Sequence, residues 1–300
     1  MTAKLGTEDR DSHAKGFDTL PPTRILEVLA AAQIAAARSV EAAIPAIAEA
    51  AGRAAAALAS GHRLAYVGAG SSGLMALADC LELPGTYGIG VDEAIVVLAG
   101  GRDSLVDMVG AGEDDVAAGS DDLAAAGIGA GDCVIAVSAS GSTPYTLAAA
   151  RAAKERGATV IGIANNEGAP LLAAADVAVL LATPPEVVSG STRMGAGTAQ
   201  KIAFNMLSTL MAVHLGHVHD GHMVNVRADN DKLRARAARI VTDIAGIPAD
   251  AATGLLRESR GSVKHAILLA AGAGDIEAAD AALVEAGQNL RRAMSLVAKS

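Results

Sequence analysis

Five short apolar runs punctuate the middle of the chain, at residues 64–67, 94–99, 133–137, 159–164 and 176–181. None shows the polar alternation of a half-exposed strand, so each predicts a strand buried on both faces. Residues 114–126 and 144–156 between them read as helices, as does the stretch ending at Cys80; Pro144 suits the first turn of its helix. Buried strands alternating with helices predict an α/β fold with a doubly wound, mostly parallel five-stranded sheet. Upstream, Thr23 is expected to cap a helical pattern over 24–59 that breaks near Pro45 and ends at Gly61. Residues 1–17 read as a mobile or docking arm. Downstream, 198–215 forms a long apolar helix. From Asp231 short helices separated by Gly246-Ile247-Pro248, Gly261 and 272–274 predict a small C-terminal helical subdomain. The expected division is N-terminal arm and helices 1–60, sheet domain with its long helix 61–226, and helical subdomain 227–300.

Composition narrows this picture. Apolar residues make up 51% of the chain and charged residues 19%, but aromatics only 2%, with no Trp. Such a core relies on close packing of small aliphatic side chains. A formal net charge of -9 and so few rings argue against nucleic acid as a partner. A small anion is still compatible, because local amide dipoles outweigh net charge at short range. The two cysteines, Cys80 and Cys133, lie in apolar stretches and read as buried reduced thiols, consistent with the cytoplasm. The first 15 residues are polar with mixed charge, unlike a signal peptide. Glu49 and Arg53 interrupt the Ala-rich run 44–58 and argue against a membrane span.

Two strand ends carry the candidate chemistry. The first leads into GAGSSG (68–73), the second into SASGST (138–143). Each turn sets small residues before a helix N-terminus, where free N–H groups and the helix dipole favour an anion. Gly70 permits close backbone approach, and the hydroxyls of Ser71, Ser72, Ser138, Ser140, Ser142 and Thr143 add donors for phosphate oxygens. GAGSSG carries hydroxyls where a dinucleotide fingerprint has apolar filler, and it lacks the Gly-Lys-Ser/Thr of a Walker loop. Either turn alone is equally an ordinary cap. Two at the carboxyl end of one sheet favour phosphate binding.

These turns and several further blocks resemble the sugar isomerase (SIS) domain, and within it the N-acetylmuramic acid 6-phosphate etherases. The blocks are 68–73, DCLELPGTYG (79–88), Ala99-Gly100-Gly101, Gly112-Glu113-Asp114 and 138–145. The strongest stretch runs from Glu186 through SGSTRM (189–194) and AGTAQK (196–201) to NMLST (205–209), followed by NDKLRAR (230–236). The resemblance implies cleavage of the lactyl ether of N-acetylmuramic acid 6-phosphate to N-acetylglucosamine 6-phosphate and D-lactate, without metal or organic cofactor. It maps the two proton-transferring glutamates onto Glu82, as acid, and Glu113, as base. It also places Glu186, Ser191 and Thr192 with the sugar-phosphate ligands. Elimination β to a carbonyl needs both a base and an acid, which a carboxyl pair with separated pKa values supplies. Glu82 lies in an otherwise apolar stretch and is expected to be buried with a raised pKa. Glu113, read from its neighbours alone, is an acidic helix start.

The chain departs from the family pattern at Leu74, Ser142 and Gly195, where the resemblance leads one to expect cations. Charge-assisted contacts to the lactyl carboxylate are hard to replace by Ser or Gly, which leaves the exact substrate open. His217, His219 and His222 form a second departure. Imidazoles beside Asp220 could bind a metal, but the spacing fits no established zinc pattern; a loop at the pocket rim with His222 as cation or proton carrier, or plain exposed histidines, are the other readings. Two rivals share the fold: an isomerase using Glu186 as base, and a sugar-phosphate-sensing regulator. The Glu82 and Glu113 pair favours the etherase, and the first 60 residues contain no basic recognition helix. The long Ala-rich helices need a partner surface, so a homodimer with a shared site is expected.

Overall fold

The computed structural model of the chain describes residues 6–12, 14–107, 110–226, 228 and 231–299. Part of the N-terminal arm, residues 1–5 and 13, lies outside them. By its internal contacts the chain divides into two compact units, Met1–Cys80 with Asp92–Ser208, and Leu81–Val91 with Thr209–Ser300.

The first unit holds the sheet. Its strands are β1 (Leu64–Gly68), β2 (Ala94–Leu98), β3 (Cys133–Ser138), β4 (Thr159–Ala164) and β5 (Val177–Leu180). All pair in parallel in the order β2-β1-β3-β4-β5. Every residue of β1 and β3 is buried, as their unbroken apolar runs require. Alternate side chains serve opposite faces. Ala65, Val67, Val134, Ala136 and Val160 share one core with Leu123 of α4 (Val116–Ala125) and with Tyr145, Ala149 and Ala153 of α5 (Pro144–Glu155). Tyr66, of the opposite parity, sets its ring 5.7 Å from that of Phe204 on α7 (Gly195–His214).

Two helices precede the sheet, α1 (Pro22–Arg38) and α2 (Ile44–Ala59), joined by a 3-10 segment. The break falls as expected, with Pro45 in the first turn of α2. Thr23 does not cap α1: Pro21 takes that position and Thr23 sits inside the first turn, because the two prolines already pre-set the entry. By length and composition Pro22–Ala59 could cross a membrane, so Glu49 and Arg53 do not exclude this. In α2, however, Ile47, Ala50, Ala51 and Ala54 are buried, and the helix packs on β1, β3 and β5, which is the place of a core helix.

The helix after β1, α3 (Gly70–Tyr87), runs well past its expected end at Cys80 and contains Pro84. A proline removes only one i→i−4 bond, and buried Ala76, Cys80 and Leu83 anchor the turns that lead up to it. A short α6 (Pro170–Ala174) links β4 to β5.

In the second unit, α8 (Asp231–Ala245), α9 (Ala249–Glu258), α10 (Val263–Ala270), α11 (Ile276–Glu285) and α12 (Leu290–Val297) enclose a separate aliphatic core around Ile240, Val241, Ile267 and Leu283. The histidine segment is not a loop. It is a two-residue antiparallel hairpin of β6 (Val218–His219) and β7 (His222–Met223). Asp220 and Gly221 turn it with φ of 46° and 79°, the backbone that an Asp-Gly pair favours in a tight hairpin.

Candidate active site

Strands β1 and β3 are neighbours, with Gly68 opposite Val137, so the two Gly/Ser turns emerge side by side. The order 2-1-3-4-5 reverses between these strands, and open α/β sheets bind ligands at such a reversal.

At the first turn, a Cβ on Gly68 would stand 2.9 Å from Gly73 Cα, so both glycines are needed for the helix to close on the strand end. Gly70 has φ 52°, and a Cβ there would overlap Glu113 Oε1. The Glu113 carboxylate therefore lies directly against the backbone at the N-terminus of α3, beside half-buried Ser71 and Ser72. Glu113 sits on a 3-10 turn, Gly110–Asp114, and is not the cap of α4; Asp115 is, accepting the Ala118 N–H at 2.9 Å. Burial, reinforced by the charge of Asp114, raises the pKa of Glu113.

The second turn is tied together by its own hydroxyls. Ser138 Oγ lies 2.7 Å from Thr143 Oγ1 and 3.2 Å from Ser140 Oγ, and accepts the Gly141 N–H at 3.0 Å. Ser142 donates from both N and Oγ to Ser140 Oγ, each at 3.2 Å. Ser142 is exposed and opens onto a cleft of about 370 Å³ that Arg151 also lines.

Glu186 is buried, and its two oxygens accept the Gly195 and Ala196 N–H groups at 3.0 and 2.9 Å. It thus closes the N-terminus of α7, one turn beyond half-buried Ser191 and Thr192. Glu82 departs from expectation: it is exposed. The buried stripe of α3 is Ala76, Asp79, Cys80 and Leu83, and helical spacing turns Glu82 and neighbouring Leu81 outward.

Asp79, one turn before Glu82, carries no role in the reading of the sequence. It is buried and accepts Tyr66 Oη at 2.9 Å, Asn205 Nδ2 at 2.7 Å and Ser208 Oγ at 3.1 Å. Burial raises its pKa against the lowering effect of these bonds. A carboxylate at helical spacing on the apolar stripe of Ala76, Cys80 and Leu83 is the signal that could have found it.

The histidines divide by environment. Burial, with help from the Lys264 charge, lowers the His217 pKa to about 4, so it is neutral near pH 7. His219 is buried beside Asp220, which pairs with Arg291; His222 is half-buried on β7. Among the described residues no group of three His, Cys, Asp or Glu is placed to hold a metal ion. Cys80 and Cys133 are buried and unpaired, and burial lifts both thiols to about 12.

An N-acetylmuramic acid 6-phosphate etherase from Deinococcus radiodurans is 46% identical over 280 residues, covering 93% of this chain and 92% of that protein. The chain belongs to the N-acetylmuramic acid 6-phosphate etherase family. Etherases of that name from Geobacillus thermodenitrificans and Streptomyces coelicolor are each 39% identical, over 90% and 97% of this chain and 91% and 94% of their own. The SIS domain family model matches residues 115–215. Among solved structures, a phosphoheptose isomerase from Francisella tularensis superposes with a TM-score of 0.47 at 19% identity, covering 64% of this chain and 96% of that one.

Within this etherase-family chain, Gly195 has a steric account. A Cβ there would stand 3.1 Å from Glu186 Oε2 and 3.2 Å from Ala36 Cβ of α1, so a larger residue would have to displace one of them. Nothing in the structure explains Leu74.

Proposed function

We propose that this protein cleaves the D-lactyl ether of N-acetylmuramic acid 6-phosphate, releasing D-lactate and N-acetylglucosamine 6-phosphate. The observation that carries the reading is the placement of Glu113 against the first of two adjacent hydroxyl-rich turns at the sheet reversal. The phosphate rests on Gly70, Ser71 and Ser72 and on Ser138, Ser140, Ser142 and Thr143, with Ser191 and Thr192 beside the sugar. Glu113 removes the proton at carbon 2 of the open-chain sugar. Glu82 protonates the ether oxygen at carbon 3 as the lactate leaves, giving an unsaturated aldehyde. Water then adds at carbon 3 and a proton returns to carbon 2, so no redox cofactor is required. A base held above the ordinary carboxylate range is better matched to carbon acid chemistry near neutrality.

The isomerase reading draws less support, because both Glu186 oxygens already serve the α7 N-terminus. The protein acts as a homodimer: Leu26 and Ile34 on α1 are 65% and 56% exposed, an apolar face that a second copy would cover. Unpaired buried cysteines support a cytoplasmic setting.

The test is product analysis by mass spectrometry with N-acetylmuramic acid 6-phosphate, comparing wild type, Glu82→Ala and Glu113→Ala. D-lactate release by the wild type and its loss by at least about 100-fold in each variant is expected. Full activity in both variants would refute the two-carboxylate mechanism, and isomerised product alone would install Glu186 as the base.

A further inference from the structure

The second turn is held from outside by the segment that follows β4. Asn165 N–H donates to Ala139 O at 3.0 Å, and Leu171 N–H donates to Gly141 O at 3.0 Å. Between them Asn166, only 2% exposed, brings its Nδ2 to 3.4 Å from both Ala139 O and Ser140 O. The same amide has a second attachment at the far end of the sequence. Asn166 Nδ2 donates to Thr7 Oγ1 at 2.9 Å, and Thr7 N–H donates back to Asn166 Oδ1 at 3.1 Å. Thr7 is itself 2% exposed.

This reciprocal pair spans 159 residues of sequence. It attaches the short 3-10 segment Gly6–Glu8 to the sheet unit. One carboxamide therefore joins two things that move separately in an unfolded chain: the N-terminal arm and the backbone that presents Ser140. A buried amide left with half its bonds is costly, so undocking the arm frees Asn166 to abandon the turn.

We propose that Thr7 and Asn166 are positioning residues for the phosphosugar, and that arm docking and phosphosugar binding strengthen each other through Asn166. The proposal rests on the reading of SASGST as a phosphate-binding turn. Neither residue touches the reacting atoms. Their effect is on how well the turn is preformed, and so on affinity and not on proton transfer. Reciprocity follows from linkage: if the docked arm improves ligand binding by some factor, bound ligand improves arm docking by the same factor.

The test has two arms. Steady-state kinetics of lactate release compares wild type with Thr7→Ala, Thr7→Ser and Asn166→Ala. The alanine variants are expected to raise KM about 10-fold with kcat changed no more than about 2-fold, and the serine variant, which keeps the hydroxyl, to stay near wild type. Thr7→Ala and Asn166→Ala combined should be no worse than Asn166→Ala alone, because they remove one shared contact. In the second arm, limited trypsin digestion at exposed Arg10 is timed with and without N-acetylglucosamine 6-phosphate. The ligand should slow cleavage in the wild type and have no effect in Asn166→Ala. Cleavage of the wild type at a rate the ligand does not change overturns the proposal, as does a fall in kcat and melting temperature with KM unmoved, the mark of a merely structural contact. Because digestion needs no turnover, absence of lactate release would sink the proposed activity while leaving the coupling of arm and turn open to judgement.

Discussion

Glu113 shows how the sequence neighbours of a residue can mislead about its surroundings. Its neighbours Gly112, Asp114 and Asp115 suggest a helix start, yet Asp115 alone caps α4 and Glu113 turns to Gly70 instead. Its raised pKa has a consequence for stability. A carboxyl whose folded pKa exceeds its unfolded value binds protons more tightly in the native state. Its favourable contribution is present below the ordinary carboxylate pKa and is lost as pH rises through the raised value. Once ionised, the side chain is a net burden. Glu113→Gln should therefore keep or slightly raise the melting temperature at pH 7 while abolishing lactate release, with the gain shrinking toward pH 4. In the wild type, activity should fall on the acid side as Glu113 protonates, at a pH above that of an ordinary glutamate. A marked drop in melting temperature for the Gln variant would contradict this account of its environment. Glu82 is the opposite lesson: apolar neighbours in sequence did not bury it, because a helix distributes adjacent residues around its circumference.

At the scale of elements, α3 and α7 are joined by the Asp79 knot. Tyr66 from β1, Asn205 and Ser208 from α7 all converge on one buried carboxylate. Removing it strands the buried Tyr66 and Ser208 hydroxyls, so Asp79→Ala is expected to cost at least about 2 kcal/mol, read as a shifted denaturation midpoint. Asp79→Asn keeps one acceptor oxygen and should cost less. If Ala and Asn are equally harmful, the charge of Asp79 matters more than its bonds. Most element boundaries were legible in local pattern: β4 spans the residues expected, and α5 begins at Pro144. The failures share a cause. α3 outran Cys80 because burial of Leu83 outweighs the single bond Pro84 forfeits, and the histidine hairpin hid in an Asp-Gly pair flanked by too few apolar residues to register as strands.

For the whole molecule, the exposed apolar side chains of α1 are the main expectation yet to be met. Leu26 and Ile34 on one side of α1 mark the surface a second copy would cover. Sedimentation velocity should find a dimer, and Leu26→Glu with Ile34→Glu should shift it to monomer; a wild type that stays monomeric at micromolar concentration would remove the dimer from the proposed function. The amino-acid sequence alone determined the five strands, though not that β2 and β5 at the sheet edges are only partly buried, together with the α/β class, the two hydroxyl-rich turns and the family, because each is written in a short window of periodicity, turn chemistry or motif. Only the tertiary structure decided that β1 and β3 lie side by side, that Glu113 rests on Gly70, and that Thr7 meets Asn166. These are contacts between distant residues. They are chosen by which apolar faces can be buried together across the sheet, and no local window contains that competition.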